Sequence, residues 1–166
     1  IEALAFMPGF GFSVAAMVLA GQYIGARQYN DAYESGILSA KIAIVFMGSV
    51  GVVLVGFPEF MIRFFTKDPE TIEQAALYLR LVGIAQIPLA LTFVLSGALR
   101  GAGATHLSMR ISIGSLWLFR IVPSYMVLML GGGILGIYLA MTIETFIKGF
   151  WFWRVYRQKI WLNQKV

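Results

Sequence analysis

The sequence predicts an all-α, polytopic membrane helix bundle with five transmembrane helices. Three observations carry that expectation. Apolar residues make up 59% of the 166 residues and charged residues only 13%, about half the charged share of an ordinary soluble domain. The apolar residues fall in long runs and not at a helical or strand period. Several runs reach the roughly 20 residues that a helix needs to cross a hydrocarbon core about 30 Å thick.

The spans follow in order, separated by polar or helix-breaking punctuation. The first is expected over about 3–24, before Ala26-Arg27-Gln28-Tyr29-Asn30-Asp31. The second covers about 37–57 and ends at Pro58. After Thr66-Lys67-Asp68-Pro69-Glu70 comes the third, about 72–99, and then the fourth, about 107–130. Gly131-Gly132-Gly133 breaks the chain before the fifth, about 134–156. The whole, 1–166, reads as a single transmembrane domain. Ile1 stands where an initiator methionine would, with no basic leader or cleavage site, so a piece of a longer chain is expected.

Charge asymmetry orients the bundle. Arg27, Lys41, Arg100, Arg110, Arg154, Arg157, Lys159 and Lys165 lie on the side of the C-terminus, against Arg63, Lys67 and Arg80 on the other. The positive-inside rule makes the C-terminal side cytoplasmic. The formal charge of +5 is therefore read as topology, and no nucleic-acid partner is expected. With no cysteine and the single His106, neither disulfides nor a metal site are expected. No phosphate-cradling loop and no catalytic constellation appears, so neither an enzyme nor an ATP motor is expected.

In lipid, helices associate where small residues let backbones approach. Gly21 with Gly25, Gly97 with Gly101, and Gly132 with Gly136 have the required i, i+4 spacing. Leu19-Ala20-Gly21-Gln22-Tyr23-Ile24-Gly25-Ala26-Arg27 can also be laid over Leu95-Ser96-Gly97-Ala98-Leu99-Arg100-Gly101-Ala102-Gly103. Either an internal repeat or two independent helix crossings accounts for that echo. Interior prolines free a carbonyl from the helix ladder, and Pro8 with Gly9 and Gly11, Pro88 and Pro123 are candidate hinges or static kinks.

Ionisable groups within spans are hypotheses of function. Arg120 lies 12 residues before Gly132 and Glu144 12 residues after it, which puts them at one depth in a helical hairpin and predicts an ion pair. Lys148 stands one turn beyond Glu144 and competes for it. Gln86, two residues before Pro88, is expected to face a cavity. These four are the candidate substrate or ion path; a purely structural pairing of helices is the alternative. The cluster Phe150-Trp151-Phe152-Trp153 reads as an interfacial aromatic belt. No acidic residue falls between Glu73 and Glu144.

Four segments resemble one transporter family in order and spacing. Pro8-Gly9-Phe10-Gly11-Phe12 leading into Gly21-Gln22-Tyr23-Ile24-Gly25-Ala26-Arg27 is similar to the eighth helix of the multidrug and toxic compound extrusion (MATE) family. Phe65-Thr66-Lys67-Asp68-Pro69-Glu70 resembles the loop after its ninth. Ser96-Gly97-Ala98-Leu99-Arg100-Gly101-Ala102-Gly103-Ala104-Thr105 and Arg120-Ile121-Val122-Pro123-Ser124-Tyr125 resemble the end of its tenth helix and its eleventh.

The resemblance implies helices eight to twelve of a twelve-helix antiporter of two lobes. Such a protein exports organic cations and amphipathic drugs by rocker-switch alternating access, driven by Na+ or H+. The implied partners are the lipid bilayer, the N-terminal lobe of the same protein and small amphipathic or cationic substrates. The implied setting is a bacterial or archaeal plasma membrane. Where some relatives carry an aspartate in the tenth helix, this chain has Gln86-Ile87-Pro88-Leu89-Ala90. The coupling ion is therefore expected to bind mainly outside this chain, with no other cofactor. A flippase for lipid-linked precursors and a passive channel or accessory subunit are the alternative functions.

Overall fold

The computed structural model describes residues 2–129, 131 and 133–163, so Gly132 and Lys165 lie outside the described residues. Among these residues the chain is helical with no strand. α1 (Glu2–Gly25) runs unbroken through Pro8. It ends where Arg27 takes φ 60°. There the Gln28 N–H donates to the Tyr23 carbonyl at 2.8 Å and the Arg27 N–H to the Ile24 carbonyl at 2.9 Å, the paired bonds of a Schellman end.

α2 (Tyr29–Gly56) starts two turns before the expected 37. Apolarity marks where a span begins, whereas the helix continues into polar sequence: Asp31 sits in its first turn, and Asn30 Nδ2 donates to Glu34 Oε1 at 3.3 Å one turn on. The short α3 (Pro58–Ile62) then leads to α4 (Pro69–Ile84). Asp68 caps α4 by accepting the Thr71 N–H, with Pro69 in its first turn, where no amide hydrogen is needed.

The expected third span is two helices. α4 and α5 (Gln86–Gly101) meet at Ala85 with a bend of 51°. Pro88 lies in the first turn of α5, where its missing N–H leaves the Ile84 carbonyl outside the ladder, so the break falls just ahead of the proline. α5 ends as α1 does: Gly103 takes φ 79°, the Ala104 N–H donates to the Leu99 carbonyl at 2.9 Å and the Gly103 N–H to the Arg100 carbonyl at 3.1 Å. The two ends fall at matching positions of the two segments that align in the sequence.

The expected fourth span is α6 (Thr105–Ser115), a π segment (Leu116–Ile121) and α7 (Val122–Met129). Val122 N–H bonds the Trp117 carbonyl five residues back, so the helix widens just before Pro123. Gly131 and Gly133, at φ 73° and 60°, make the turn into α8 (Gly133–Arg157), and a 3-10 turn (Ile160–Asn163) follows. Among the described residues α1, α2 and Thr105–Met129 are each long and apolar enough to cross a membrane, and the bent α4–α5 pair makes a fourth. α8, with 25 residues, has the length for the fifth expected span.

α1, α2 and α5 form the centre of the bundle, with α8 laid against α5. The larger core cluster includes Ala16, Ala20, Met47, Val94, Ala98 and Phe152; a smaller one holds Leu54, Ile62, Ala76 and Leu79. Much of the remaining apolar surface faces outward, with Val45 75% and Leu128 62% exposed. Such exposure is costly in water and ordinary in lipid.

Candidate functional site

The glycines show where the bundle is closed. A Cβ on Gly97 would collide with the backbone of Ser13, and one on Gly101 with that of Met17. Gly21 approaches the Gly101 carbonyl in turn, its Cβ position lying 3.2 Å from that oxygen. Gly21 of one echoing pair and both glycines of the other therefore meet at a single α1–α5 crossing. Arg100 reinforces it by donating from a guanidinium nitrogen to Ser13 Oγ at 3.2 Å. Gly25 takes no part, because nothing lies within 4 Å of its Cβ position. Gly136 packs on Val127 of α7.

The candidate hinges separate by environment. Gly9 is buried, its Cβ position lying 2.9 Å from Met47 Sδ and 3.0 Å from Phe93, while Gly11 borders open space. Pro123 sits directly after the π segment. Pro88 receives α8, since the Cβ position of Gly149 lies 2.6 Å from the Pro88 carbonyl oxygen.

Where α8 leaves α5, a pocket of about 190 Å³ opens among α1, α4, the π segment and α8. Arg120, Glu144 and Lys148 all line it, which agrees with the common depth counted from the glycine turn. Their pairing differs from expectation. Glu144, 4% exposed, accepts from Ser115 Oγ at 2.7 Å and has Lys148 Nζ at 3.8 Å, one helical turn away. Arg120 makes no ion pair with Glu144 or with any other described residue. The π segment explains the change of partner: its wider turn alters the rotation between Ser115 and Arg120, so the serine meets the carboxylate and the arginine takes another wall.

Gln86 is also placed differently. It opens α5 fully buried against α2, its Cβ 3.2 Å from the Cβ position of Gly51, and it does not line this pocket. The bend at Ala85 turns it that way while Ala85 and Leu89 face the pocket. Neither Nε2 nor Oε1 of Gln86 has a hydrogen-bond partner among the described residues. Sequence reasoning missed Glu2, Tyr78 and Tyr138. Tyr78 donates to Glu2 Oε2 at 2.6 Å, and its ring lies 4.8 Å from that of Tyr138. Glu2 precedes the expected first span, and the tyrosines carry no charge.

A second cluster lies at the end of the bundle where α8 finishes. Tyr156, fully buried, donates its hydroxyl to the Ala32 and Tyr33 carbonyls at 3.2 and 3.3 Å and stacks between Tyr33 and Trp161. Trp161 Nε1 donates to the Tyr156 carbonyl at 3.0 Å. The aromatic run is thus divided: Phe150 is exposed, while Phe152 is wholly buried.

Comparison with known proteins settles the family. A family model described as MatE matches residues 1–126. The chain belongs to the MatE family. Among MatE relatives, the "Probable multidrug resistance protein NorM" of Thermotoga maritima is 35% identical over 151 residues, 89% of this chain and 32% of that protein. The "Uncharacterized transporter YisQ" of Bacillus subtilis is 26% identical over 94% of this chain and 34% of its own length. The human "Multidrug and toxin extrusion protein 1" is 30% identical over 100 residues, 60% of this chain and 18% of that protein. The chain thus spans about a third of the length of the first two. The MatE match ends inside α7, so α8, which brings Glu144 and Lys148, is reached only by the longer alignments to single relatives.

Proposed function

We propose that this chain is most of the C-terminal lobe of a MatE efflux protein, which exports organic cations or drugs in exchange for sodium ions or protons. Rocker-switch alternating access, with the chain's C-terminus cytoplasmic in a bacterial or archaeal plasma membrane, completes the reading. Family membership and the relatives' names support efflux. The observation that carries the assignment to this chain is the pocket that holds Arg120, Glu144 and Lys148 inside an otherwise apolar bundle. Charged groups at membrane depth are costly enough to be kept chiefly where they serve a path.

The coupling ion is assigned mainly to the other lobe or to the helix preceding α1, because the tenth-helix stretch offers Gln86 and no acid. Glu144 contributes a buried carboxyl group on this side. The test uses the full-length protein in efflux-deficient bacteria loaded with ethidium. Glu144→Gln is expected to slow efflux about tenfold at unchanged protein level and to alter its pH or salt dependence. Full efflux with unchanged dependence would remove Glu144 from coupling. The chain expressed alone is expected to insert without transport; dye efflux from it would overturn the lobe assignment.

A further inference from the structure

The pocket has a donor that nothing in it satisfies. Arg120 is half-buried in a membrane-spanning segment and has no hydrogen bond or ion pair with any described residue. Both carboxylates that share the pocket are engaged elsewhere, Glu144 by Ser115 and Lys148, and Glu2 by Tyr78. The threonine hydroxyls do not compete for a ligand's acceptors, since Thr142 and Thr145 donate to the Tyr138 and Met141 carbonyls of their own helix. An arginine keeps its charge at any accessible pH and presents a planar fork of donors. Leaving that fork unpaired at membrane depth is unfavourable, and an anionic oxygen group relieves it.

We infer that Arg120 is the receptor for a carboxylate, so that this pocket takes the acidic end of an aromatic amphiphile. The aromatic part follows from the walls. Phe6, Tyr78 and Tyr138 line the same space, and the two tyrosine rings stand 4.8 Å apart at 50°. A volume of about 190 Å³ suits a small aromatic ring system of one or two fused rings with its carboxylate. Lys148 adds a second positive charge, 23% exposed at its side chain. The inference builds on the reading of this pocket as a substrate path and narrows it: zwitterionic or acidic drugs are bound here, beside any cation site elsewhere in the protein.

The test is calorimetric binding to the detergent-purified full-length protein, with 1-naphthoate and its uncharged analogue 1-naphthamide as probes. Naphthoate is expected to bind at least about tenfold more tightly than naphthamide. Arg120→Gln is expected to erase that preference and leave naphthamide binding unchanged. Arg120→Lys, which keeps the charge without the fork, is expected to retain part of it, and it serves alone if the glutamine variant does not fold. Equal binding of the two probes, or a preference untouched by either substitution, overturns the inference. Ethidium efflux by the unsubstituted protein separates the two claims. Efflux without naphthoate preference leaves the transport reading standing and the carboxylate subsite disproved, while preference without efflux does the reverse.

Discussion

The α1–α5 crossing and the pocket beside α8 are built from opposite materials. At the crossing, Ser13, Met17 and Gly21 meet Gly97 and Gly101 backbone to backbone, and the core beside it is alanine, valine and leucine. At the pocket, α8 stands off from α4 and the π segment, and the space between holds two acids, two bases and several hydroxyls. The span that carries Arg120 is also the more peripheral: 11% of its apolar window is buried, against 28% for α1 and 33% for α2. In lipid, where hydrophobic burial gives little drive between helices, close packing supplies cohesion. The comparison teaches that one seam holds the lobe together, which lets a neighbouring seam remain polar and open.

The sharpest way to break that division is to thicken the crossing. Gly101→Leu must push α5 away from the Met17 backbone; overpacking costs about 1–3 kcal/mol and more against rigid backbone. Loss of monodisperse protein on detergent size-exclusion is the expected outcome. Gly25→Leu, with open space at its Cβ, is expected to behave as wild type. Next comes the pocket: Ser115→Ala removes a 2.7 Å hydrogen bond to a buried carboxylate, a loss of roughly 2 kcal/mol. Thermal unfolding in detergent should record it without the collapse seen at the crossing.

Smaller still is Tyr156→Phe, which leaves the stacking on Tyr33 and Trp161 but removes the hydroxyl bonds to Ala32 and Tyr33. A loss of about 1 kcal/mol is expected from the same unfolding measurement. The smallest effect concerns the α4 cap. The Thr71 hydroxyl, and then its N–H, hold the Asp68 carboxyl below its ordinary value of 3.8. A depressed folded value means the cap's contribution is present above that ordinary value and is lost as pH falls through the lowered one. Asp68 is fully exposed, so Asp68→Asn should lower the plateau above that ordinary value slightly and flatten the acid limb of a pH–stability curve.

The sequence marked most of this architecture through apolar run length, because a bilayer of fixed thickness writes itself into the chain. The common depth of Arg120 and Glu144 was legible by counting from the glycine turn. Their rotation about the helix axes was not, since no residue pattern announces the π segment between Ser115 and Ile121. Pro88 was visible, but not that it would divide a span at Ala85. Small-residue spacing identified Gly21, Gly97 and Gly101, yet a motif names no partner. It therefore promoted Gly25, which touches nothing, and overlooked Gly36 against Tyr156, Gly51 against Gly83 and Gly149 against Pro88, each a lone glycine whose counterpart lies on another helix.

The π segment also sets how this chain tolerates insertion and deletion. Bonds reaching five residues back absorb one residue more than the same stretch of α-helix would use. Deleting a single residue between Leu116 and Arg120 would tighten that stretch into ordinary helix with little change in length. The wider segment turns less per residue than α-helix does, so the flanks of the deletion, Ser115 and Val122, would keep nearly their present phase and Ser115 its bond to Glu144. Only the residues inside the stretch, Arg120 among them, would be re-aimed, while the apolar run that crosses the membrane stayed almost as long as before.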